Sequence, residues 1–149
     1  MIRNATPEDL PRLLELGEAM HAESRYSIMS FDREKVAGLL TTLMTTDTGF
    51  LMVAETDGRI IGGFAGIVSE HWFSHDKLAS DIALFIEQDA RGGMTAPRLL
   101  RAFLTWADSR GVKVKDIGVN TGIHTNQTGR LYEKLGGKLA GLLYSFEGV

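Results

Sequence analysis

Apolar and polar residues alternate along several stretches of the chain, which is the pattern of β-strands with one buried face. The strands predicted from this pattern cover 2–6, 49–55, 60–69, 78–88, 112–120 and 138–149. Asp57 and Gly58 separate the second from the third, and an Asp-Gly pair is typical of a two-residue hairpin turn. Strict alternation along 78–88 predicts that Asp81, Ala83 and Phe85 share one face of that strand.

Other stretches show apolar residues at helical spacing. A first helix is expected after Thr6, an N-cap residue followed by Pro7, and further helices are expected over about 32–44, 94–110 and 126–135. Gly111 follows the third helix and Gly136 the fourth, and glycine is common just after a helix C-terminus. Each predicted helix has one apolar face available for packing.

The order of these elements predicts a mixed α/β sheet with helices on both faces, mostly antiparallel with one parallel pair. The parallel pair is formed by the strands 78–88 and 112–120, because a helix connects them in a right-handed crossover. The final stretch, 138–149, is expected to be a closing strand or a hairpin pair. The 149 residues contain no repeat or linker, so we expect a single domain over 1–149.

Composition narrows the classes of function. The chain is 44% hydrophobic and 23% charged, which is typical of a globular protein. Its net charge of -3 argues against nonspecific nucleic-acid binding, and no apolar run is long enough to cross a membrane. There are no cysteines and no apolar signal-peptide core, so a cytoplasmic location is expected. The four histidines show no metal-binding spacing, and we expect no metal.

Arg91, Gly92 and Gly93 stand where a predicted strand gives way to a helix. A helix N-terminus carries unpaired N–H groups and a partial positive charge, and glycine allows close approach of a ligand. Such a junction favours phosphate, to which an arginine adds charge-assisted hydrogen bonds. Neither GxxxxGK[ST] nor GxGxxG is present, which excludes the common nucleotide loops. Taken alone, the junction is equally consistent with an ordinary glycine turn.

A second motif distinguishes these alternatives. The stretch "NQTGRLYEKLGG", residues 126–137, resembles the last helix motif of the GNAT-type N-acetyltransferase superfamily. The stretch "RGGMTA", residues 91–96, is similar to the pyrophosphate loop of the same family, although Met94 stands at the usual middle glycine. The resemblance extends over the order of elements along nearly the whole chain, and implies the acyl-CoA N-acyltransferase fold with a splayed parallel strand pair.

The resemblance implies that acetyl-CoA is the co-substrate. Its pyrophosphate would bind the backbone of the 91–96 loop, and its peptide-like arm would pair with the strand near Ile86 and Glu87. The cofactor-binding residues implied are Ile86, Glu87, Arg91, Gly92, Gly93, Met94, Thr95, Ala96 and Asn126. The reaction implied is transfer of the acetyl group to an amine.

Tyr132 matches the general acid of the family, whose phenol would donate a proton to the leaving thiolate. At helical spacing with Leu131 and Leu135, Tyr132 is also consistent with a core residue. Asp81 is the first choice for the general base. Its rivals are Glu70, Glu87, His71 and His124, and a chain of water molecules is a further alternative.

The amine acceptor, a small molecule or a peptide, is expected to bind between the two variable connectors of the chain. Glu23 would pair with a cationic amine, while Tyr26 and Trp72 would form the pocket walls. Alternatively, Trp72 caps the core and Glu23 is solvated. Three functions remain open: an N-acetyltransferase, a noncatalytic acyl-CoA-binding domain suggested by Met94, and an interaction protein that keeps only the fold. A homodimer is one alternative for the oligomeric state.

Overall fold

The computed structural model describes residues 1–147. Five strands form one sheet in the order β1-β2-β3-β4-β5. The strands are β1 (Ile2–Asn4), β2 (Gly49–Thr56), β3 (Arg59–Glu70), β4 (Lys77–Ile86) and β5 (Val114–Asp116). The pairs β1–β2, β2–β3 and β3–β4 are antiparallel, and only β4–β5 is parallel. This confirms the predicted mixed sheet with one parallel pair.

The helices lie on both faces of this sheet. They are α1 (Leu10–Glu23), α2 (Arg33–Thr45), α3 (Thr95–Ser109) and α4 (Thr125–Lys134). On one face, α1 and α2 bury leucines such as Leu13 and Leu40 against β2 and β3. On the other face, α3 buries Leu99 and Phe103, and α4 packs beside it through Leu131. No helix within residues 1–147 is both long enough and apolar enough to span a membrane.

Local sequence explains most element boundaries. The hairpin between β2 and β3 turns at Asp57 and Gly58, both of which have positive φ, as a two-residue hairpin turn requires. The first helix begins with a short 3-10 turn over Pro7–Asp9, and Pro11 is accommodated in the first turn of α1. Asp32 caps α2 by accepting a hydrogen bond from the N–H of Lys35 at 3.1 Å.

A β-bulge changes the predicted faces of β4. Ala83 pairs with Ala65 but Asp81 pairs with the next residue, Gly66, so Ile82 is an extra residue in β4. As a result Ala83 packs in the core under α1 and α2, while Asp81 turns toward the α3 face, where Gly66 approaches Phe103. The prediction that Asp81 and Ala83 share a face was therefore wrong, because alternation along the sequence does not reveal a bulge.

The two predictions at the end of the chain also need correction. The strand β5 is three residues long, whereas the sequence predicted 112–120. The predicted closing strand is absent from 138–147, where the chain forms neither strand nor helix, and residues 148 and 149 lie outside the described residues. Alternation indicates that a segment can form a strand, but a strand also needs a neighbour with free backbone groups.

Candidate functional site

The parallel strands β4 and β5 separate after a short stretch of pairing. Leu78 pairs with Val114 and Ser80 with Asp116, and there β5 ends, while β4 continues to Ile86. The two strands therefore diverge and leave a V-shaped gap between them. The apex of this gap lies just beyond Ser80. The gap exposes backbone groups of β4 that have no strand beside them.

Asp81 and Tyr132 meet at this apex, on Gly118. The carboxylate of Asp81 accepts a hydrogen bond from the N–H of Gly118 at 3.1 Å. The hydroxyl of Tyr132 donates to the carbonyl of the same glycine at 3.0 Å. A strand, a loop and a helix thus bring together the two residues that the sequence nominated as base and acid.

Burial at the apex shifts the pKa values of both Asp81 and Tyr132. Burial raises the pKa of the Asp81 carboxyl above its ordinary value, and the hydrogen bond from Gly118 opposes this only in part. Burial also raises the pKa of the Tyr132 phenol, and the charge of nearby Asp81 raises it further. Each group therefore holds its proton more tightly than it would in water, and Tyr132 is a neutral hydrogen-bond donor at pH 7.

The backbone of Ile86 faces the gap, whereas the N–H of Glu87 does not. The N–H of Glu87 donates to the carbonyl of Ile61 in β3 at 2.8 Å. Because a trans peptide holds its C=O opposite the following N–H, the carbonyl of Ile86 points away from β3 and into the gap. In a strand, the N–H of Ile86 points to the same side as its carbonyl. The carbonyl accepts a hydrogen bond from Arg91, so Ile86 offers an extended ligand chiefly its N–H.

Five consecutive backbone N–H groups are free at the start of α3. Within residues 1–147, none of the N–H groups of residues 92–96 donates a hydrogen bond. Gly92 has a φ of 86°, and a Cβ added at Gly92 or Gly93 would meet no atom within 4 Å. The N–H groups thus line open space at the positive end of a helix, which is the geometry that binds phosphate groups.

Arg91 is turned away from this open space. Its Nε donates to the carbonyl of Ile86 at 3.2 Å, and its two terminal nitrogens hold the carboxylate of Glu23, at the end of α1. The hydrogen bond from Arg91 holds the pKa of Glu23 below its ordinary value, with contributions from the charges of Arg91 and His124. Glu23 therefore already has a cationic partner within the chain, and its pairing with a cationic acceptor stays a prediction that requires Arg91 to move.

A cavity of about 1130 Å³ connects the gap with the space under α1 and α2. Drug-sized ligands occupy cavities of roughly 300–1,000 Å³, so there is room for a large cofactor arm together with part of a second substrate. The predicted site residues that line the cavity are Tyr26, Asp81, Ile86, Arg91, Gly92, Gly93, Met94, Ala96 and Tyr132. The structure thus brings together residues from five different elements.

Five other predicted site residues do not line this cavity: Glu23, Trp72, Glu87, Thr95 and Asn126. Trp72 is 90% exposed at the tip of the β3–β4 hairpin, where its ring packs only on His71 and Phe73 of the same loop. Trp72 therefore does not cap the core, and it lies outside this cavity; a part in an acceptor site stays a prediction. Asn126 is exposed in the first turn of α4, and Thr95 directs its methyl group toward Gly62 of β3.

Two of the four rival bases, Glu70 and Glu87, are occupied elsewhere. Glu87 binds Arg12 at 2.9 Å and Arg59 at 2.5 Å, and Glu70 contacts His75 at 3.2 Å on the exposed hairpin. Of the other rivals, His124 lines the cavity as the N-cap of α4, in a left-handed conformation with φ of 46°. Among the nominated bases, Asp81 alone combines a place in the cavity with a hydrogen bond at the apex of the gap.

Sequence reasoning missed His21. Its ring lines the cavity from the last turn of α1, beside Phe31 at 5.4 Å between ring centroids. Its buried Nε2 has no hydrogen-bond partner within residues 1–147. Since buried polar atoms are nearly always paired, the unpaired Nε2 of this cavity-lining residue is an exception that a bound ligand or water would explain. In the sequence, His21 is simply one polar residue near the end of an amphipathic helix.

Metal binding requires several ligating side chains close together. Among residues 1–147, no group of three or more His, Asp or Glu side chains is arranged to hold an ion. The charged groups of the cavity that are described above are engaged with other protein groups: Arg91 with Glu23, and Asp81 with the N–H of Gly118. What the cavity offers to a ligand is consequently backbone N–H groups, a phenol, a carboxylate and an imidazole.

Several solved structures share this fold. A transcriptional regulator from Bacillus halodurans C-125 is similar with a TM-score of 0.75 and 19% identity, over 98% of this chain and 99% of that one. The aminoglycoside 6'-N-acetyltransferase of Acinetobacter haemolyticus is similar with a TM-score of 0.75 and 14% identity, over 100% of this chain and 98% of that one. An aminoglycoside acetyltransferase from an uncultured soil metagenomic sample, solved in complex with sisomicin, has a TM-score of 0.69 and 17% identity, over 98% of this chain and 95% of that one.

No curated protein matches the chain by sequence. At identities this low, the structural neighbours show the fold alone. A family model, however, matches residues 1–138 and is described as an acetyltransferase (GNAT) domain. Since the match covers most of the sequence, the chain belongs to the GNAT acetyltransferase family.

Proposed function

We propose that the protein is an N-acetyltransferase that moves an acetyl group from acetyl-CoA to a primary amine by direct attack on the thioester. The observation that carries the proposal is the meeting of Asp81 and Tyr132 on Gly118, at the apex of the gap between β4 and β5. Membership of the acetyltransferase family supports it, as do the free N–H groups at the start of α3.

The residues around the gap fit acetyl-CoA. The N–H groups of residues 92–96 can hold a pyrophosphate, and the N–H of Ile86 can pair with an amide of the pantetheine arm. When bound, acetyl-CoA supplies an acetyl group activated as a thioester. Arg91 can add two charge-assisted hydrogen bonds to the pyrophosphate only if its guanidinium leaves Glu23.

The amine must lose a proton to react. A free alkylamine has a pKa of about 10.4, so deprotonation at pH 7 costs roughly 4–5 kcal/mol. Asp81 accepts this proton, either directly or through water, and its raised pKa makes it a better base than an ordinary carboxylate. The ammonium nitrogen loses two protons in all: the first leaves through Asp81 to solvent before the attack, and the second, lost as the N–C bond forms and the C–S bond breaks, is balanced by the proton that the sulfur takes up.

Tyr132 acts on the leaving sulfur. Its hydroxyl carries a proton at pH 7 and is held by the carbonyl of Gly118, so a rotation of one hydroxyl hydrogen can redirect it. A phenol holds its proton more tightly than a thiol, whose ordinary pKa is near 8.5. Tyr132 therefore stabilises the departing thiolate as a hydrogen-bond donor before any proton transfer to sulfur is complete.

The acceptor site lies between α1, α2 and the apex. Its polar groups are the imidazole of His21, the hydroxyl of Tyr26 and the carboxylate of Asp81, set among apolar side chains such as Phe31 and Leu39. A primary amine with an apolar or hydroxylated body fits this lining, either as a small molecule or at the end of a peptide. The Acinetobacter haemolyticus and soil metagenomic neighbours act on aminoglycosides, which makes these the first amines to test.

The test is a thiol-release assay with acetyl-CoA and a panel of aminoglycosides, polyamines, alkylamines and peptides. Because the chain contains no cysteine, every thiol detected comes from the cofactor. Mass spectrometry of the product should show an added acetyl group on nitrogen. Turnover with one amine that falls sharply in Tyr132→Phe supports the proposal, whereas turnover that survives in Tyr132→Phe and Asp81→Asn would remove both residues from the mechanism.

A second candidate is a noncatalytic acyl-CoA-binding domain of the same fold. Met94 favours it, since its side chain stands in the loop at the entrance of the cavity and is 54% exposed. Thermal unfolding with acetyl-CoA, combined with the thiol-release assay, distinguishes the two candidate functions. A ligand at 100 times its Kd stabilises a protein by roughly 2.7 kcal/mol. Stabilisation without turnover on any amine would favour the binding domain, and no stabilisation would exclude both.

A further inference from the structure

The part of the cavity under α1 and α2 differs in chemical character from the part around the gap. We call it the acceptor recess; it is lined from residues 13–40, which belong to α1, α2 and the connector between them. Its apolar wall includes Met20, Phe31, Val36 and Leu39. Its polar side chains are those of His21, Ser24 and Tyr26. The recess is thus an apolar chamber with a few hydrogen-bonding groups.

No carboxylate within residues 1–147 lines the recess, although α1 is rich in them. Glu15, Glu18 and Glu23 of α1 all lie outside the cavity lining, and each forms an ion pair with an arginine. In the part of the chain that the structure describes, Asp81 at the apex is the only carboxylate anywhere in the lining. A move of Arg91 to the pyrophosphate would release only Glu23. The recess and the apex together therefore offer one acidic group to an amine.

The fixed positive charges of the cavity belong to the cofactor side. Arg91, Arg101, Arg130 and Lys134 line it from the loop before α3, from α3 and from α4. These cations suit the phosphates of a CoA cofactor, and they repel further positive charge. An acceptor with several ammonium groups would have Asp81 as its one acidic partner in the lining, and every other ammonium would lose hydration without a compensating ion pair. The lining therefore accommodates a single positive charge.

Gly17 leaves space inside the recess. It lies in the middle of α1, where glycine is less favourable than alanine, and it lines the cavity. A Cβ at this position would lie 3.6 Å from Cζ of Phe31, and the next nearest atom is Cε2 of the same ring at 4.0 Å. A side chain longer than that of alanine would therefore enter the space between α1 and Phe31. Glycine leaves that space free.

Aromatic side chains form much of the wall around this space. The rings of His21 and Phe31 are 5.4 Å apart between centroids and tilted by 51°, and Tyr26 lines the recess from the connector. Met20 adds a thioether, which packs favourably on aromatic rings. Aromatic groups prefer tilted and edge-to-face partners of this kind. The wall therefore suits a ligand with an aromatic body, and the unpaired Nε2 of His21 can bond a polar group on that body.

We infer, with the proposed function as the basis, that the acceptor is an aromatic monoamine whose ring occupies the recess beside Gly17, His21 and Phe31. Its single primary amine lies at the apex with Asp81, and Nε2 of His21 binds a hydroxyl group on the ring. Transfer joins the acetyl carbon to the amine nitrogen, frees the thiol of CoA and releases one proton to solvent. Polyamines and aminoglycosides are poor acceptors, because their further ammonium groups find no carboxylate in the lining.

A comparison of acceptors tests the charge argument. The thiol-release assay is run with phenethylamine, with its ortho-, meta- and para-hydroxylated derivatives, with spermidine and with kanamycin. We expect kcat/KM for the best phenethylamine to exceed that for either polycation by about 10-fold or more. A polycation that is turned over more efficiently than every phenethylamine would overturn the inference and leave the proposed function intact.

The hydroxylated derivatives test the role of His21. One of them should be preferred over phenethylamine by about 5-fold, because it gains a hydrogen bond to Nε2. The variant His21→Phe keeps an aromatic ring without the nitrogen, so it should lose this preference while it still acetylates phenethylamine. An unchanged preference in His21→Phe would overturn the assignment of the hydroxyl group to His21.

Filling the recess tests where the ring binds. Gly17→Leu should raise KM for the preferred phenethylamine by about 10-fold or more, with KM for acetyl-CoA unchanged. Gly17→Ala, whose Cβ makes ordinary contact with Phe31, should have a smaller effect. The matched control is Gly38→Leu, at a position on α2 where a Cβ meets nothing within 4 Å, and it should leave both KM values unchanged. Equal KM values for the amine in the wild type and in Gly17→Leu would overturn the inference.

Binding without reaction separates this inference from the proposed function. Isothermal titration of phenethylamine into protein saturated with CoA, which carries no acetyl group, measures occupation of the recess alone. Binding that is lost in Gly17→Leu, with no thiol release from acetyl-CoA, would contradict the proposed function and support the recess as an aromatic-amine site. A wild-type protein that binds none of the phenethylamines would overturn the inference, whether or not it acetylates another amine.

Discussion

Asp81 and Tyr132 are linked through one residue: the carboxylate accepts from the N–H of Gly118 and the phenol donates to its carbonyl, at 3.1 and 3.0 Å. The carboxylate charge also contributes to keeping the phenol protonated. This arrangement supports the proposed roles of Asp81 as proton acceptor and Tyr132 as hydrogen-bond donor.

Removing the phenol hydroxyl should affect catalysis far more than folding. For Tyr132→Phe we expect kcat to fall by roughly 10²-fold or more, since the leaving sulfur loses its donor. Loss of the bond to Gly118 should lower the free energy of unfolding by about 1 kcal/mol. Steady-state kinetics and denaturant titration measure the two effects. The matched control is Tyr144→Phe, which removes a hydroxyl from an exposed ring and should leave kcat unchanged.

Asp81→Asn should make stability less dependent on pH. Because the pKa of Asp81 is raised in the folded chain, the folded state binds more protons than the unfolded state between the ordinary pKa and the raised one. Wild-type stability must therefore fall as the pH rises through this window, and the Asn variant lacks this loss. The Tm of the variant relative to the wild type is expected to increase from about pH 4 upward, and to be constant below it.

The exposed carboxylate Asp89 provides the control for that measurement. The difference in Tm between Asp89→Asn and the wild type, measured over the same pH range, is the reference for an exposed carboxylate. If the Asp81 and Asp89 variants gave identical profiles, burial of Asp81 would not be the cause. Activity gives a second reading, because a base must be ionised: the rate of the wild type should rise with pH through the same window, and Asp81→Asn should lose roughly 10²-fold.

The ion pair between Arg91 and Glu23 should compete with the cofactor. If Arg91 binds pyrophosphate, Glu23→Gln weakens the competing contact and should lower the Kd for acetyl-CoA, whereas Arg91→Ala should raise it about 10- to 100-fold. Isothermal titration with acetyl-CoA and with dephospho-CoA, which keeps the pyrophosphate, measures both. Equal Kd values for the wild type and Arg91→Ala would mean that Arg91 serves only to hold Glu23.

Two glycines should respond in opposite directions to alanine. A Cβ at Gly49 would lie 2.5 Å from the Cα and carbonyl oxygen of Leu43, so the backbone must shift. We expect Gly49→Ala to destabilise the fold by about 1–3 kcal/mol. A Cβ at Gly38, within α2, meets nothing within 4 Å, and Gly38→Ala should stabilise by roughly 0.5–1 kcal/mol. Denaturant titrations measure the change in the free energy of unfolding for each variant. If both variants were stabilised, or both were destabilised, this account would be contradicted.

Local propensity and periodicity in the sequence were sufficient to predict most of the helices and strands. The Asp57-Gly58 turn, the hairpin around it and the helix following Arg91 lie where propensity and periodicity predicted them. Long-range relations were not accessible in the same way. Nothing in the sequence indicates that Arg91 reaches Glu23, 68 residues earlier, or that Trp72 extends into solvent, since both depend on how separate elements meet.

The closing strand shows a further limit. Residues 138–147 have a strand-forming sequence, and the prediction concerned what the segment can do, not what lies beside it. Pairing depends on a partner edge, which a single chain need not supply. The nominated acid and base, by contrast, do lie together in the cavity, although their roles remain predictions until the variants above are measured.

The extra residue in β4 has a consequence for what positions Asp81. Ala83 pairs with Ala65 and Asp81 with Gly66, so deleting Ile82 would remove the bulge and still leave Asp81 opposite Gly66, on the α3 face. A slip that paired Ile82 with Gly66 would instead turn Asp81 to the α1 and α2 side, away from Gly118. Such a slip would keep every element and remove the carboxylate from the apex. The register that β4 keeps with β3 therefore matters more for this site than the number of residues in the strand.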